Sequence, residues 1–137
     1  MSDKRFRQAI MYAINREFAR EAVWNGMGGI PTGPISSKTR FYDDDVKRYP
    51  YDPDKAKALL KEMSYDGTPI RLLPLPYGET WQRYAEVVRQ NLQQVGIKVD
   101  MVATDVAGHN VLVDRVLRED HDEVLLDQPG EPAGDRA

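Results

Sequence analysis

Apolar residues fall at helical spacing from the start of the chain. Phe6, Ala9, Ile10, Ala13 and Ile14 share one stripe, which predicts a helix from about Asp3 to Glu17. A second short helix is predicted over Phe18 to Trp24, closing at Asn25-Gly26, where glycine takes a left-handed stop. The pattern then lapses from Met27 to Tyr51, a stretch punctuated by Gly28, Gly29, Pro31, Gly33, Pro34 and Pro50. Loops of that length inside a compact domain are functional or wrap a partner surface. Asp52-Pro53 restarts helical spacing, since aspartate caps free N–H groups and proline at the first helical position forfeits no hydrogen bond. Ala56, Leu59, Leu60 and Met63 then form the buried stripe, and Asp66-Gly67 turns the chain.

Ile70 to Leu75 predicts a strand that Pro69, Pro74 and Pro76 shorten or push to an edge. Glu79 to Val95 gives the clearest helix, with Trp81, Tyr84, Ala85, Val88, Leu92 and Val95 on one face and Gly96 as its stop. Ile97, Val99, Met101 and Ala103 set against Lys98, Asp100 and Thr104 predict a half-buried strand. Thr104 or Asp105 caps a helix from Val106 to about Arg118, with Leu112, Val113, Val116 and Leu117 inward, and Glu123 to Leu126 reads as a last strand. Strand, helix, strand, helix, strand is a βαβαβ run, which implies parallel pairing. The expected layout is a single α/β domain over residues 1–127, made of a helical segment (1–26), a long loop (27–51) and a helix plus βαβαβ core (52–127). A flexible tail, 128–137, follows.

Composition changes this picture little: 41% hydrophobic and 30% charged residues describe an ordinary globular chain of 137 residues. No apolar run approaches the roughly 20 residues of a spanning helix. The charged, amphipathic opening does not read as a signal peptide. The absence of cysteine removes disulfides, thiolate catalysis and thiolate zinc sites. The net charge of −3 is uneven, about −5 from Arg118 onward and +2 before it. No dense basic face of the kind nucleic acid requires is present.

Candidate chemistry is sparse. His109 and His121 stand twelve apart with no third donor at metal-ligand spacing and read as surface residues. Asp43-Asp44-Asp45 lacks the alternate spacing, central glycine and distal glutamate of a calcium loop, so a solvated turn is the better reading. Gly26-Met27-Gly28-Gly29-Ile30 lacks the Gly-Lys-Ser/Thr ending of a phosphate loop and follows a helix rather than a strand. No serine sits in a nucleophile elbow, and no set of residues supports a catalytic mechanism. Neither a cofactor nor a metal is expected. Trp81 and Tyr84 read as core residues, being three apart on the strongest amphipathic helix. Trp24, Tyr42, Tyr49 and Tyr51, in or beside the long loop, are ligand or interface candidates, because aromatics there offer contact area at small entropic cost. Packing of the loop onto its own domain is the simpler alternative.

Three segments carry a resemblance. They are Arg7-Gln8-Ala9-Ile10-Met11-Tyr12-Ala13-Ile14-Asn15-Arg16, Tyr51-Asp52-Pro53-Asp54-Lys55-Ala56-Lys57-Ala58-Leu59-Leu60, and Leu92-Gln93-Gln94-Val95-Gly96-Ile97-Lys98-Val99. Their order and spacing resemble the extracytoplasmic solute-binding proteins of peptide and nickel ABC importers, family 5, over Asp3 to about Leu126. The resemblance implies part of one lobe, the C-terminal one, of a type II periplasmic-binding-protein fold. It also implies a solute receptor, for oligopeptides or a similar small polar solute, that closes two lobes on its ligand and presents it to a membrane permease. That places the protein in the periplasm or outside the membrane, with any signal peptide upstream. A single lobe is not expected to bind ligand alone, and a stand-alone structural or interaction domain without ligand binding is the alternative. In the peptide-binding branches an acidic residue after the last strand pairs with the ligand's amino terminus. Gln128-Pro129-Gly130-Glu131 lies there without the family's tryptophan, so Asp127 or Glu131 takes that role. Trp24 and Tyr42 complete the expected ligand contacts. The apolar stripes of the two strongest helices further suggest a two-fold homodimer.

Overall fold

The computed structural model describes residues 3–33 and 35–126. They fall into two compact units that divide between Ala103 and Thr104.

The first unit begins with α1, Lys4–Ala13, capped by Asp3, whose carboxylate accepts from the Arg5 N–H at 2.7 Å. The single helix expected through Glu17 is broken. Ile14 is extended (φ −84°, ψ 116°), and Asn15 opens a new helix, α2, Arg16–Trp24, by accepting from the Phe18 N–H at 3.0 Å. Asparagine competes with the helix for its own backbone and so sits better at a cap than in an interior. α2 ends as expected at Asn25-Gly26, although Asn25 itself takes the left-handed position (φ 50°) ahead of Gly26 (φ 74°). The Gly26 N–H reaches back to the Arg20 carbonyl at 3.2 Å.

Among the described residues, no helix or strand interrupts the chain between Trp24 and Pro53. Isolated turns at Trp24–Met27, Ser36–Thr39 and Thr39–Tyr42 carry backbone hydrogen bonds there. Its far end is fastened. The Arg16 guanidinium donates to the Met11 and Tyr49 carbonyls at 3.1 and 3.0 Å, and the Asp52 N–H donates to the Tyr12 carbonyl at 2.9 Å.

α3, Pro53–Glu62, starts with proline in its first turn and Asp52 accepting from the Lys55 N–H at 2.9 Å. The turn after it closes through the Asp66 carboxylate, which accepts from the Thr68 N–H at 2.8 Å, a bond that lowers its pKa. β1 keeps only Ile70–Leu72 of the expected strand, because Pro74 cannot continue a ladder. α4, Glu79–Gln94, follows, and then β2, Val99–Met101. The two strands pair in parallel, with Ile70 opposite Val99 and Leu72 opposite Met101.

The core lies where α1, α3 and α4 meet the start of β2. Phe6, Ala9, Tyr12, Ala13, Ala56, Leu60, Val88, Leu92, Val95 and Ile97 are all buried in one cluster. Ile97 is 1% exposed, and burial of a side chain of its size contributes about 2–3 kcal/mol. Tyr12 was not part of the expected stripe. Its ring is buried edge-on against Tyr49, centroids 5.2 Å apart, with the Lys55 ammonium 4.5 Å above it.

The second unit carries α5, Val106–Leu126. Asp105 accepts from the Gly108 N–H at 2.8 Å, as expected of a cap. The strand expected at Glu123–Leu126 is absent, since those residues continue the helix. No glycine or proline stands between Gly108 and Pro129 to end it, and Arg118 bridges Asp114 one turn back at 2.8 Å. The described core is therefore βαβα rather than βαβαβ, still with parallel strands. The tail at 128–137 lies outside the described residues.

Candidate functional site

In parallel α/β sheets ligands collect beyond the carboxyl ends of the strands, where each strand hands over to a helix. β1 hands over to α4 through Leu73–Gly78. That helix begins on Gly78 (φ 108°, a conformation that favours glycine) with no side-chain cap. The first N–H groups of α4 therefore have no side-chain acceptor at Gly78, and Glu79 places a carboxylate in the first turn, at the positive end of the helix dipole. Around this start stand exposed apolar groups: Leu75 at 37%, Tyr77 at 58% and Trp81 at 36%.

Trp24, an expected ligand contact, joins this region. Its indole packs edge-on against Trp81, centroids 6.1 Å apart, and tilted against Tyr84 at 5.3 Å. Half-buried aromatics with one face open combine contact area with rigidity, the property recognition surfaces exploit. Of the two residues expected in the core, Tyr84 is half-buried and packs against the buried cluster, whereas Trp81 retains over a third of its surface. Sequence reasoning missed Tyr77, although its place after a strand and before a glycine-opened helix marks it.

Tyr42 is engaged inside the loop. Its hydroxyl accepts from Thr32 at 3.3 Å and donates to Asp44 at 3.2 Å, and Asp44 also pairs with Arg48. Among the described residues Tyr42 makes no ring contact with the aromatic group. Tyr49 serves the core side of the loop. Asp127 and Glu131 lie outside the described residues. Among the described residues no three histidine, aspartate or glutamate side chains gather to hold a metal ion, and no helix is long and apolar enough to cross a membrane. His109 is buried, with no hydrogen-bond partner at Nδ1, unlike the surface residue expected. A groove of about 370 Å³ lined by Pro69, Gln93, Gly96 and Lys98 lies at the amino ends of the strands, away from the handover loops.

The parallel strands and the helices beside them make this an α/β domain by class. The chain belongs to the bacterial extracellular solute-binding proteins, family 5, whose middle-region model matches residues 1–132. It is 36% identical over 107 residues to the dipeptide-binding protein of Escherichia coli K12, covering 74% of this chain and 20% of that protein. Di/tripeptide-binding protein 1 of Pseudomonas aeruginosa is 29% identical over 130 residues, 91% of this chain and 24% of that protein.

Solved structures agree. The ABC transporter substrate binding protein CtaP of Listeria monocytogenes superposes with a TM-score of 0.71 at 26% identity, over 82% of this chain and 23% of that one. The oligopeptide binding protein of Thermus thermophilus, complexed with a pentapeptide, superposes at 0.68 and 28% identity, over 77% and 20%. The fold is that of type II periplasmic binding proteins. The chain spans about a fifth of the length of these relatives.

Proposed function

We propose that this chain is part of the solute-binding component of an ABC importer for oligopeptides or a similar small polar solute. In this reading residues 1–127 act as one α/β domain within one lobe. The solute is held by closure of two lobes outside the cytoplasmic membrane and is then presented to a membrane permease. Closure on the solute rests on binding free energy and involves no covalent chemistry. The observation that carries the reading is the match to family 5 along nearly the whole chain, with peptide-binding proteins among the relatives. Trp24 provides an aromatic contact at the carboxyl end of β1, and Tyr42 a second from the loop. Asp127 or Glu131 supplies the carboxylate for a peptide's ammonium, a charge-assisted bond of the stronger kind. Partners are the solute, the permease and a second copy of the chain.

The second reading is an interaction domain without ligand binding. Half of a clamp has little hold on a ligand, so titration calorimetry of this chain with dipeptide mixtures is expected to give no heat. The deciding experiment grafts the matching stretch of this chain into the dipeptide-binding protein of Escherichia coli in place of its own. Retained dipeptide binding supports the receptor reading. A chimera that folds but binds nothing supports the second.

A further inference from the structure

β1 and β2 form a two-stranded sheet with no third strand among the described residues, and two strands alone are marginally stable. The pairing shows which backbone groups remain. The Ile70 N–H donates to the Lys98 carbonyl at 2.9 Å, and the Val102 N–H to the Leu72 carbonyl at 3.0 Å. In a parallel ladder this turns Lys98, Asp100 and Val102 toward β1 and sends the N–H and C=O groups of Val99 and Met101 to the outer edge. The β1 edge is bracketed by Pro69 and Pro74, the guards that natural sheets place against edge pairing. β2 has no proline within it or beside it.

We propose that the outer edge of β2 is a self-pairing surface, on which β2 of a second copy docks antiparallel about a two-fold axis with Val99 opposite Val99. Outward residues must face outward residues, so the short registers are Met101 on Met101, which forms no charge pair, and Val99 on Val99 or Val99 on Met101. The latter sets Asp100 against Asp100, and like charges directly opposite are unfavourable. The former sets Lys98 opposite Asp100 of the second copy, twice over by symmetry, with both side chains on one exposed face. A charge pair two residues apart on an unguarded edge is complementary to itself, which is why a second copy is the occupant. The Lys98 ammonium now lies near Gly67, 3.3 Å from where a β-carbon there would sit. Its flexible stem allows it to swing to the new partner.

An edge this short buries little area, so the dimer is weak. Sedimentation equilibrium of this chain from about 10 µM to about 1 mM tests it over the micromolar-to-millimolar range of weak association. The expected result is a concentration-dependent monomer–dimer equilibrium that Val99→Pro abolishes, because Val99 donates outward and proline removes that donor. Lys98→Asp or Asp100→Lys alone puts like charges opposite and weakens association about tenfold. The double variant Lys98→Asp/Asp100→Lys restores it to within about threefold. If Val99→Pro loses its circular dichroism, the charge series decides by itself. A monomer throughout overturns the proposal, as it does if the edge instead serves a strand from elsewhere in a longer polypeptide. Dimerisation that ignores Val99→Pro, or a double variant that stays as weak as the singles, overturns it equally. None of these outcomes depends on solute binding.

Discussion

Ser64 carries a backbone conformation that suits another residue. It follows α3 at φ 54°, in the left-handed position where the chain turns back so that the Tyr65 N–H reaches the Leu60 carbonyl at 2.9 Å. An L side chain there is crowded against its own carbonyl, at about 1–2 kcal/mol, and glycine is not. Ser64→Gly is therefore expected to raise stability, by about 0.5–1 kcal/mol once glycine's larger unfolded-state entropy is subtracted. Urea denaturation measures it, and an unchanged or lower midpoint would refute the account. Asn15 is the opposite case, a residue well suited to its place. Its side chain caps α2, while its backbone N–H donates to the Asn91 side chain on α4 at 2.7 Å. Asn15→Ala removes a cap at about 1 kcal/mol. Asn91→Leu strands a half-buried N–H at about 1–3 kcal/mol and should be the costlier of the two. The reverse ranking in the same denaturation series would mean that the α1–α2 junction is not held from α4.

At the scale of elements, α4 holds its solvent face with a pair that titrates. Glu86 receives bonds from Arg89, one turn on, and from Gln90 at 3.0 Å, which together with the guanidinium's charge lower its pKa from 4.5 to about 2. The folded value lies below the unfolded one, so the stabilisation is present above about pH 4.5 and is lost as pH falls toward about 2. Both side chains are about a third exposed or more, so solvent screening keeps the effect small. Glu86→Gln should lower neutral-pH stability slightly, leave stability at the acid end below about pH 2 unchanged, and so remove that fraction of the acid sensitivity between those values; an identical acid profile would show the pair to be idle. Helices such as α3 and α4 were legible in sequence because caps, stripes and stops agreed. Pro53 and Asp52 mark one start, and Gly96 marks one end. The α1–α2 break was harder to read, since Asn15 interrupts an apolar stripe that continues through Ile14. The stretch Arg118–Leu126 misled, because its closing apolar residues suggest a strand while nothing before them ends the helix. The aromatic meeting of Trp24 with Trp81 and Tyr84 was beyond sequence reading, since it joins helices more than fifty residues apart.

For the whole molecule, the boundary between Ala103 and Thr104 has a thermodynamic consequence. The buried cluster of the first unit runs from Phe6 to Ile97, and every partly buried apolar residue packed on it lies before Ala103. The α1–α3 contact, the fastening of the loop by Arg16 and both strands are likewise complete by then. A chain ending at Ala103 is accordingly expected to fold on its own, with a cooperative urea transition and a midpoint close to that of the full sequence. The slope should scale with the smaller surface it exposes. Core substitutions calibrate this expectation. Leu92→Ala, at a position 2% exposed, should cost about 2–5 kcal/mol in both chains, because the cavity it leaves is lined by the same residues in each. Equal losses in the long and short chains would establish the first unit as the seat of stability. A shorter chain that melts without cooperativity would instead make the second unit part of the fold's support, and the cluster around Leu92 and Ile97 insufficient by itself.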